Sequence, residues 1–512
     1  MIMKNILTVI FSFYIASCQG LPNTVKMTPI KNVPLFPKKI IVAEKYKNLI
    51  NENLFLNVPA GYSVKVFYTG RLNKARFLTW GPDSVLYVAN KTSGEILALP
   101  DRNRDGVADT VIVAASGFYK SHDVKFYNGA MYVAEERKIV KCVDNNGDGI
   151  YETKTIFIDN IASGSQQPGG GHDTRTIVFN PQTKKMYLSI GSYNNVARET
   201  FRAIIEEYND DGTGRRTFAT GIRNAVGMTL RNGKLWANNN GSDWQGDNVP
   251  PEWIDVVRDD GFYGHPFAYA NGVYFNFAVP QYTLLLPITS AESLKIKSMH
   301  QPAALIQAHS APMQIISSNK NVPTQFQNGM FTVLRGSWNR TYATGFKVIY
   351  LDLDNENDTT ANYVSDFITG FLTDSIGKVS WGRPVGLELD QRGTFYLTSD
   401  DITEAIFSIS PTTYTYRSEN IEPTNSTFEL SQNYPNPFNP NTIINYQLPI
   451  SSKVILKVYD VLGKEIANLV NEEKSAGAHN VSFNSKGLVG GIYFYSLKAG
   501  NENIIKSMLL LK

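Results

Sequence analysis

The chain has 512 residues, 42% of them hydrophobic and 12% aromatic, so it can form one large core and a second, smaller domain. Its formal net charge is only +3, which argues against a nucleic-acid-binding surface, because such a surface needs clustered basic charge. Two cysteines cannot build a disulfide framework, so stability must come from packing.

The N-terminus reads as a secretory signal. An apolar run over residues 6–16 is too short to span a membrane and ends in Ile-Ala-Ser-Cys18, which resembles a bacterial lipobox. Two alternatives stay open: lipidation of Cys18, which would attach the protein to an outer membrane or cell surface, and ordinary cleavage nearby. We assign residues 1–18 to the signal and the polar residues 19–50 to a spacer.

A weak repeat organises the chain from about residue 51. In each copy an apolar residue and an aromatic residue occur together in a short predicted strand. The copies begin at Leu86, Met131, Met186, Leu235, Met330 and Phe395. Their aromatic residues are 45, 55, 49, 95 and 65 residues apart, and repeats of roughly 40 to 50 residues built from short strands indicate propeller blades. We predict an all-β fold with a six-bladed β-propeller over residues 51–412, with insertions in the two long intervals; an array of β-sandwiches is the alternative.

Two early loops have the spacing of calcium ligands. Oxygen-bearing side chains occupy positions 1, 3, 5 and 9, with glycine at position 6. They are Asp101, Asn103, Asp105 and Asp109 in the first loop, and Asp144, Asn146, Asp148 and Glu152 in the second. Ile112 and Thr155 stand where an EF-hand has glutamate. The loops are therefore either structural calcium hairpins, which the spacing favours, or plain Asp/Asn/Gly turns.

His172 follows three glycines and precedes a predicted hairpin with strands over 176–179 and 186–190. The hairpin would place His172 and Ser192 near the same end. A histidine can remove a hydroxyl proton near neutral pH. Taken alone, the stretch favours a glycine-rich surface loop with an incidental histidine, and only the rest of the chain changes that interpretation.

Turns after other predicted strands carry arginine, asparagine or histidine. In a propeller, turns of successive blades converge on one face around the central channel. Convergent guanidinium groups suit a flat polycarboxylate, and exposed backbone carbonyls suit Ca²⁺. The turns contain Arg223, Asn224, Gly241, Ser242, His265, His309, Arg335, Arg340 and Arg383.

Residues 54–410 resemble the soluble quinoprotein glucose/sorbosone dehydrogenase family, which includes related pyranose dehydrogenase propellers. The shared features are Gly-Gly-His172, Gly-x-Arg223-Asn224-x-x-Gly, the Gly241-Ser242 loop with a downstream Gly-x-Tyr-Gly-His-Pro, Gly-Ser-Trp-Asn-Arg340 and Gly-Arg383-Pro. The resemblance implies a six-bladed propeller that holds pyrroloquinoline quinone (PQQ) and Ca²⁺. It also implies oxidation of a sugar or sugar aldehyde by hydride transfer to the quinone.

The resemblance also implies residue roles. His172 would be the general base, and backbone oxygens of Gly241 and Ser242 would hold a Ca²⁺ that acts as a Lewis acid. The implied PQQ ligands are Arg223 and Asn224, then Arg340 and Arg383 for its carboxylates, with Arg335 and Lys347 as second choices. In the glucose dehydrogenases an acidic residue helps to orient the base, but Ser192 occupies that position here. Asp173, beside the base, is a candidate substitute.

The C-terminal part has a different character. Residues 413–427 are polar and are predicted to be a linker. Residues 428–512 resemble the type A sorting domain of the type IX secretion system, through Asn-Tyr-Pro-Asn-Pro-Phe-Asn-Pro, Tyr-Asp-Val-Leu-Gly-Lys and Gly-Gly-Ile-Tyr. The resemblance implies a small Ig-like β-sandwich, export to the surface or medium, and the secretion machinery as a partner. An Ig-like carbohydrate-binding module is the alternative.

Three functions are compatible with these features. The leading hypothesis is an exported PQQ- and calcium-dependent sugar or aldehyde dehydrogenase. The second is a non-catalytic propeller that binds a carbohydrate or protein and has lost the quinone, which Ser192 favours. The third is a calcium-dependent hydrolase or lactonase, which would need carboxylates or asparagines converging on a channel metal; no such set is clear in the sequence.

Overall fold

The computed structural model describes residues 25–162, 171–412 and 428–511, except residues 434, 476 and 501. The predicted signal, with Cys18, and the predicted linker lie outside the described residues. Between residues 62 and 411 the chain forms six antiparallel sheets of at least four strands, which we number in chain order.

The first three sheets follow one another directly along the chain. The first contains Ala75–Trp80, Leu86–Asn90, Glu95–Leu99 and Ile112–Ser116. The second contains Asp123–Tyr127, Ala130–Ala134, Ile139–Val143 and Thr153–Ile158. The third contains Ile177–Asn180, Lys185–Ile190, Ile204–Asn209 and Arg216–Thr220, with the short parallel strand Gly261–Phe262 at its edge.

The last three sheets complete the series. The fourth contains Met228–Arg231, Lys234–Asn239, Glu252–Val256 and Ala304–Ile306. The fifth contains Pro312–Ser317, Met330–Leu334, Lys347–Leu351 and Val364–Ile368. The sixth contains Pro384–Leu389, Phe395–Asp401, Thr403–Pro411 and, from the start of the series, Tyr62–Thr69.

The six sheets form a closed ring. The first strand of each sheet contacts the first strand of the next, and the first strand of the sixth sheet contacts that of the first. Tyr62–Thr69 pairs antiparallel with Thr403–Pro411, so the sixth sheet joins the two ends of this part of the chain. This pairing fastens the ring without a disulfide.

Each of the six predicted repeat strands is the second strand of a sheet. Several of these strands are buried along their whole length, including Leu86–Asn90, Ala130–Ala134 and Met330–Leu334. A strand covered on both faces needs apolar residues at successive positions rather than at alternate ones. The apolar-aromatic signature of the repeat is therefore the sequence consequence of packing between neighbouring sheets.

The longest interval between repeats contains an insertion, as predicted. It occupies residues 257–303 and holds two short helices, Pro280–Thr283 and Ser290–Lys297, together with the ribbon of Ala268–Tyr269 and Val273–Tyr274. Thr289 begins the second helix through a reciprocal capping box with Glu292. These helices were not predicted, because neither is long enough to show a clear helical period.

Residues 19–50 were predicted to be a spacer, but their described part belongs to the fold. Leu35–Lys39 pairs with Phe55–Pro59, a 3-10 turn forms at Glu44–Tyr46, and Phe36 and Ile40 are buried. The apolar residues of this segment are separated by polar ones, so the sequence did not indicate that the segment contributes to the core.

Three smaller features complete this part of the chain. A ribbon of Leu372–Asp374 and Val379–Ser380 precedes the sixth sheet, and a 3-10 turn forms at Thr324–Phe326. Cys142 is a buried free thiol, and burial raises its pKa to about 12. Among the described residues, none of the helices has the length and hydropathy needed to cross a membrane.

The C-terminal part forms two sheets around one core. One sheet contains Glu429–Leu430, Asn441–Leu448 and Gly477–Asn484. The other contains, in spatial order, Glu465–Lys474, Ser452–Tyr459, Gly491–Ala499 and Glu502–Leu510. Tyr446 from the first sheet and Leu456 and Tyr495 from the second lie in the same buried cluster, so the sheets share one apolar layer.

The closed ring makes a prediction about Phe395, which is fully buried where the fifth and sixth sheets meet Tyr62 of the closing strand. Phe395→Ala should lower the free energy of unfolding by roughly 3–5 kcal/mol, because it leaves a cavity at this junction. Phe55→Ala is the control, since Phe55 is 47% exposed. Equal losses in the two variants, measured by denaturant titration, would contradict the packing described.

Candidate functional site

A cavity of about 680 Å³ lies at one end of the ring. Three lining residues, Arg76, Met313 and Asp400, belong to strands of the first, fifth and sixth sheets, and the other lining residues lie in the turns that adjoin the first five sheets. Five lining side chains are cationic and two are carboxylates: Lys74, Arg76, Lys91, Lys120 and Arg335 against Asp173 and Asp400. The cavity therefore favours an anionic ligand.

The two carboxylates hold four of these cations in place. Asp400 is paired with Arg76 and, at 2.9 Å, with Arg335. Asp173 lies 2.9 Å from Lys91 Nζ and 3.2 Å from Lys120 Nζ. Burial favours the neutral form of Asp173, but the two lysines hold its pKa below the ordinary value. Asp173 is thus turned toward the lysines and does not orient His172.

His172 lines the same cavity and is oriented by Ser192. Its Nδ1 lies 2.8 Å from the Ser192 carbonyl oxygen and 3.1 Å from Ser192 Oγ. Since a carbonyl oxygen only accepts, Nδ1 carries the proton and Nε2 is left as the basic nitrogen. Burial and the charge of Arg223 lower the pKa of His172 to about 3, so the imidazole is neutral at pH 7.

The backbone around His172 is held by two buried arginines. Arg202 donates from Nη2 to the His172 carbonyl at 2.7 Å and from Nε to the Gly191 carbonyl at 2.9 Å. Arg175 Nη1 donates to the same His172 carbonyl at 3.1 Å. A Cβ on Gly191 would lie only 2.7 Å from the His172 Cβ and 2.4 Å from Asn224 Oδ1. Glycine is required at 191 because these two side chains approach so closely.

The predicted pair Arg223 and Asn224 divides into two roles. Asn224 lines the cavity. Arg223 does not; its guanidinium lies 3.2 Å from Asp243 and 3.0 Å from Asn195 Oδ1, and it also donates to the Asn240 carbonyl at 3.4 Å. Arg223 therefore fastens the loop that carries the predicted calcium ligands.

That loop presents unused carbonyl groups. Neither the Gly241 nor the Ser242 carbonyl accepts a hydrogen bond from the described residues. The Gly241 N–H donates to Glu252, whose pKa is raised to about 8 by burial. Carbonyl oxygens are ligands that Ca²⁺ prefers, so the donor chemistry fits a calcium ion.

The remaining predicted cofactor ligands fall into two groups. Arg335 lines the cavity. The other three are absent from its described lining, because their charged ends are engaged elsewhere. Arg340 donates to the Asp247 and Ala308 carbonyls, Arg383 donates to the Gly336 carbonyl, and Lys347 lies 2.6 Å from Asp366.

Sequence reasoning missed Arg76, Lys91 and Lys120. Lys91 follows the second strand of the first sheet, and Lys120 precedes the second sheet. No motif marks them, and only the ring brings them to one cavity. Of these three residues, only Arg76 could have been recognised as a candidate from the sequence. An arginine near the start of an otherwise apolar strand, Ala75–Trp80, is unusual.

The two predicted structural calcium loops differ. In the second loop, carboxylate oxygens of Asp144, Asp148 and Glu152 lie within 4.8 Å of one another. No comparable group forms around Asp101 within the described chain. In both loops the first aspartate also accepts from backbone N–H groups, as in an Asx-type turn: Asp101 from Asp105 at 3.1 Å and Gly106 at 3.0 Å, and Asp144 from Gly147 at 2.7 Å and Gly149 at 2.8 Å.

Comparison with known proteins adds a family. Residues 56–256 and 288–412 match the family model described as TrAA12-like, which covers more than half of the chain. The unmatched residues 257–287 fall within the insertion of the fourth sheet. A curated relative, an uncharacterized protein of Borreliella burgdorferi, is 26% identical over 359 residues, which cover 67% of this chain and 88% of that protein.

Solved structures support the same fold. The holo form of the pyranose dehydrogenase PQQ domain from Coprinopsis cinerea is 19% identical, with a TM-score of 0.56, and the match covers 69% of this chain and 97% of that one. The calcium structure of the Trichoderma reesei carbohydrate-active enzyme of family AA12 is 18% identical, with a TM-score of 0.56. This match covers 69% of this chain and 96% of that one.

The C-terminal part has a separate match. Residues 432–511 match the secretion system C-terminal sorting domain, which indicates type IX secretion and hence a secreted or cell-surface protein. The ring and the tail are thus both accounted for by known families. The chain belongs to the TrAA12-like family and carries a secretion system C-terminal sorting domain.

Proposed function

We propose that this chain is an exported PQQ- and calcium-dependent dehydrogenase that oxidises a sugar or sugar aldehyde, and that its six sheets are the blades of a six-bladed β-propeller. One observation carries the proposal: a neutral histidine with a free Nε2 lines a cationic cavity at one end of the ring of six sheets. Membership of the TrAA12-like family and the similarity to a pyranose dehydrogenase PQQ domain support it.

The lining residues suit PQQ, a flat molecule with three carboxylates. Arg76 and Arg335 offer planar guanidinium groups, which can bind carboxylates in bidentate fashion, and Lys91 and Lys120 add positive charge on another wall. Val226 and Met313 supply apolar surface for a ring system. We propose Arg76, Asn224 and Arg335 as cofactor ligands in preference to Arg340 and Arg383.

Calcium would be held by the Gly241 and Ser242 carbonyls. Arg223 fixes this loop from one side, and Asn339 donates to Asp243 from the other. The sequence-based assignment of Arg223 as a cofactor ligand thus becomes a proposal that it positions the metal loop. The two Asp/Asn loops remain proposed structural calcium sites, with the second better formed than the first.

The chain's own residues would manage the proton of the reaction. PQQ, when bound, would supply a quinone carbon that accepts the hydride from the substrate carbon. His172 Nε2 would accept the proton of the substrate hydroxyl, while Nδ1–H stays on the Ser192 carbonyl. Because the resting imidazole is neutral, it is already in the form that a base requires.

A non-catalytic propeller that binds a carbohydrate or protein partner is the second candidate. The observation that favours it is Ser192, which replaces the expected carboxylate. Ser192 nevertheless gives Nδ1 a carbonyl acceptor at 2.8 Å, so His172 does not lose its orientation. This geometry supports the enzyme over the binder.

We also retain the proposals about export. The sorting domain would be an Ig-like sandwich over residues 428–512 that is handled by the type IX secretion machinery. Residues 1–18 would direct passage through the inner membrane, and lipidation of Cys18 would anchor the mature protein. Mass spectrometry of the N-terminal peptide tests the anchor.

Replacing the base should separate binding from turnover. His172→Ala should reduce kcat by about 10²–10⁴-fold, the range lost with a general base, while the Kd for PQQ stays nearly unchanged. Dye reduction and fluorescence titration with PQQ measure the two quantities. His300→Ala, which removes an exposed histidine, is the control. Loss of PQQ binding in His172→Ala would mean that the role of His172 is misassigned.

Replacing one cavity arginine should weaken cofactor binding. Arg335→Gln should raise the Kd for PQQ by about 10- to 150-fold, because it removes one charge-assisted contact worth roughly 1.5–3 kcal/mol. Asp400 keeps its partner Arg76 in this variant, which limits damage to the fold.

The control is Arg216→Gln, which removes an arginine that pairs with Glu207 and Asp259. Isothermal titration calorimetry with PQQ gives the Kd of each variant. If Arg335→Gln leaves the Kd for PQQ unchanged and Arg383→Gln raises it, the result would favour the ligands predicted from the sequence, Arg340 and Arg383.

A further inference from the structure

We propose that Glu199 is a positioning residue for His172 and acts on it through the single peptide group that joins Ser192 to Tyr193. This inference rests on the proposed function, in which His172 is the base. It assigns a carboxylate to the orienting role for which the sequence offered only Ser192 and Asp173.

The geometry consists of two hydrogen bonds on opposite sides of one peptide group. On one side, His172 Nδ1–H donates to the Ser192 carbonyl oxygen at 2.8 Å. On the other side, the Tyr193 N–H of the same peptide group donates to Glu199 Oε2 at 2.8 Å and to Oε1 at 3.0 Å. The Asn194 N–H also donates to Glu199 Oε1, at 3.0 Å. Glu199 is thereby fixed against the turn that presents the carbonyl.

A peptide group can carry the influence of a charge. Hydrogen bonds in a chain polarise one another, so a carboxylate on the N–H side makes the carbonyl oxygen a stronger acceptor. A stronger acceptor at Nδ1 favours the Nδ1–H tautomer and stabilises the imidazolium that forms when Nε2 takes a proton. That proton stays on the imidazole, because Glu199 has no direct contact with the ring.

The other charges around His172 oppose its protonation. Arg175, Arg202 and Arg223 all face His172 and disfavour its protonated form, and His265 nearby adds no negative charge. Asp173 is adjacent in sequence, but Lys91 and Lys120 hold it. Glu199 is the carboxylate that hydrogen bonds connect to the base.

Two opposing effects act on the pKa of Glu199. Burial raises its pKa above the ordinary value, whereas the Tyr193 and Asn194 N–H groups and the charges of Arg202 and Arg223 favour its ionised form. The arrangement follows from local sequence, because residues 191–203 form one loop between the second and third strands of the third sheet. The loop folds back so that Glu199 reaches the peptide after Ser192.

The test compares Glu199→Gln with Glu292→Gln. Glu292 lies on the insertion, and its carboxylate pairs with Arg198, which precedes Glu199 in the 191–203 loop. The control therefore removes a carboxylate that contacts the same loop but not the Ser192–Tyr193 peptide group. In the protein loaded with PQQ and Ca²⁺, Glu199→Gln should lower kcat by about ten-fold, with KM nearly unchanged. Partners that orient a metal-ligating histidine directly contribute about 10–100-fold, and Glu199 acts through one further peptide group, so we expect the lower end of that range. The deficit should shrink as the pH falls, because protonation of Glu199 removes the same charge from the unmodified protein. The control should show neither effect.

A readout without cofactor distinguishes this inference from the proposed function. In ¹⁵N-histidine-labelled full-length protein, the His172 Nδ1–H resonance, assigned by its loss in His172→Ala, should move upfield in Glu199→Gln and stay fixed in Glu292→Gln. If Glu199→Gln neither moves the resonance nor changes kcat, Glu199 does not act on His172 and the inference is refuted. If the unmodified protein reduces no dye but Glu199→Gln still moves the resonance, the dehydrogenase is refuted and the influence of Glu199 on His172 is confirmed.

A second variant guards against a folding defect. Glu199→Asp retains the charge on a shorter side chain, so it should keep more activity and a smaller resonance shift than Glu199→Gln. Equal losses in the two variants would indicate that Glu199 supports only the fold of the loop, and would contradict the inference.

Discussion

The hydrogen bond from His172 Nδ1 to the Ser192 carbonyl is the constraint on which the site depends. It fixes the tautomer, so the basic lone pair is on Nε2. A backbone acceptor is less mobile than a side chain, provided that the turn bearing it is rigid. Here Gly191 allows the close approach, Arg202 ties the carbonyls of His172 and Gly191 together, and Glu199 binds the following N–H groups.

The ring explains why so many cations can share one cavity. Arg76 is buried, which lowers its pKa, and the fold opposes this by placing Asp400 beside it. Lys91 and Lys120 share Asp173 in the same way. Each carboxylate holds two cations in fixed positions. Lys120 also pairs with Glu136 and Lys74 with Asp401, so the five lining cations are paired with four carboxylates and a small positive excess remains. A site built before the ligand arrives needs little reorganisation, which is the arrangement that electrostatic catalysis favours.

The sequence predicted the features that depend on local pattern. The strands recur because each second strand is covered by neighbouring sheets, and the hairpin that brings His172 to Ser192 follows from two short strands and a turn. It did not predict where long side chains point. Arg340 and Arg383 lie in the expected turns, but their guanidinium groups bind main-chain carbonyls, whereas Arg76 and Lys120 reach the cavity only because the ring closes. Glu199 was missed because its effect passes through a peptide group rather than a side-chain contact.

We propose that the cationic cavity binds a quinone and that the protein uses it to oxidise a sugar. The most direct measurement is reconstitution of the purified full-length protein with PQQ and Ca²⁺, followed by dye reduction with a panel of aldoses and sugar aldehydes. We expect stoichiometric PQQ binding and reduction of the dye that depends on PQQ, Ca²⁺ and one class of sugar. A protein that binds no PQQ under these conditions would contradict this proposal.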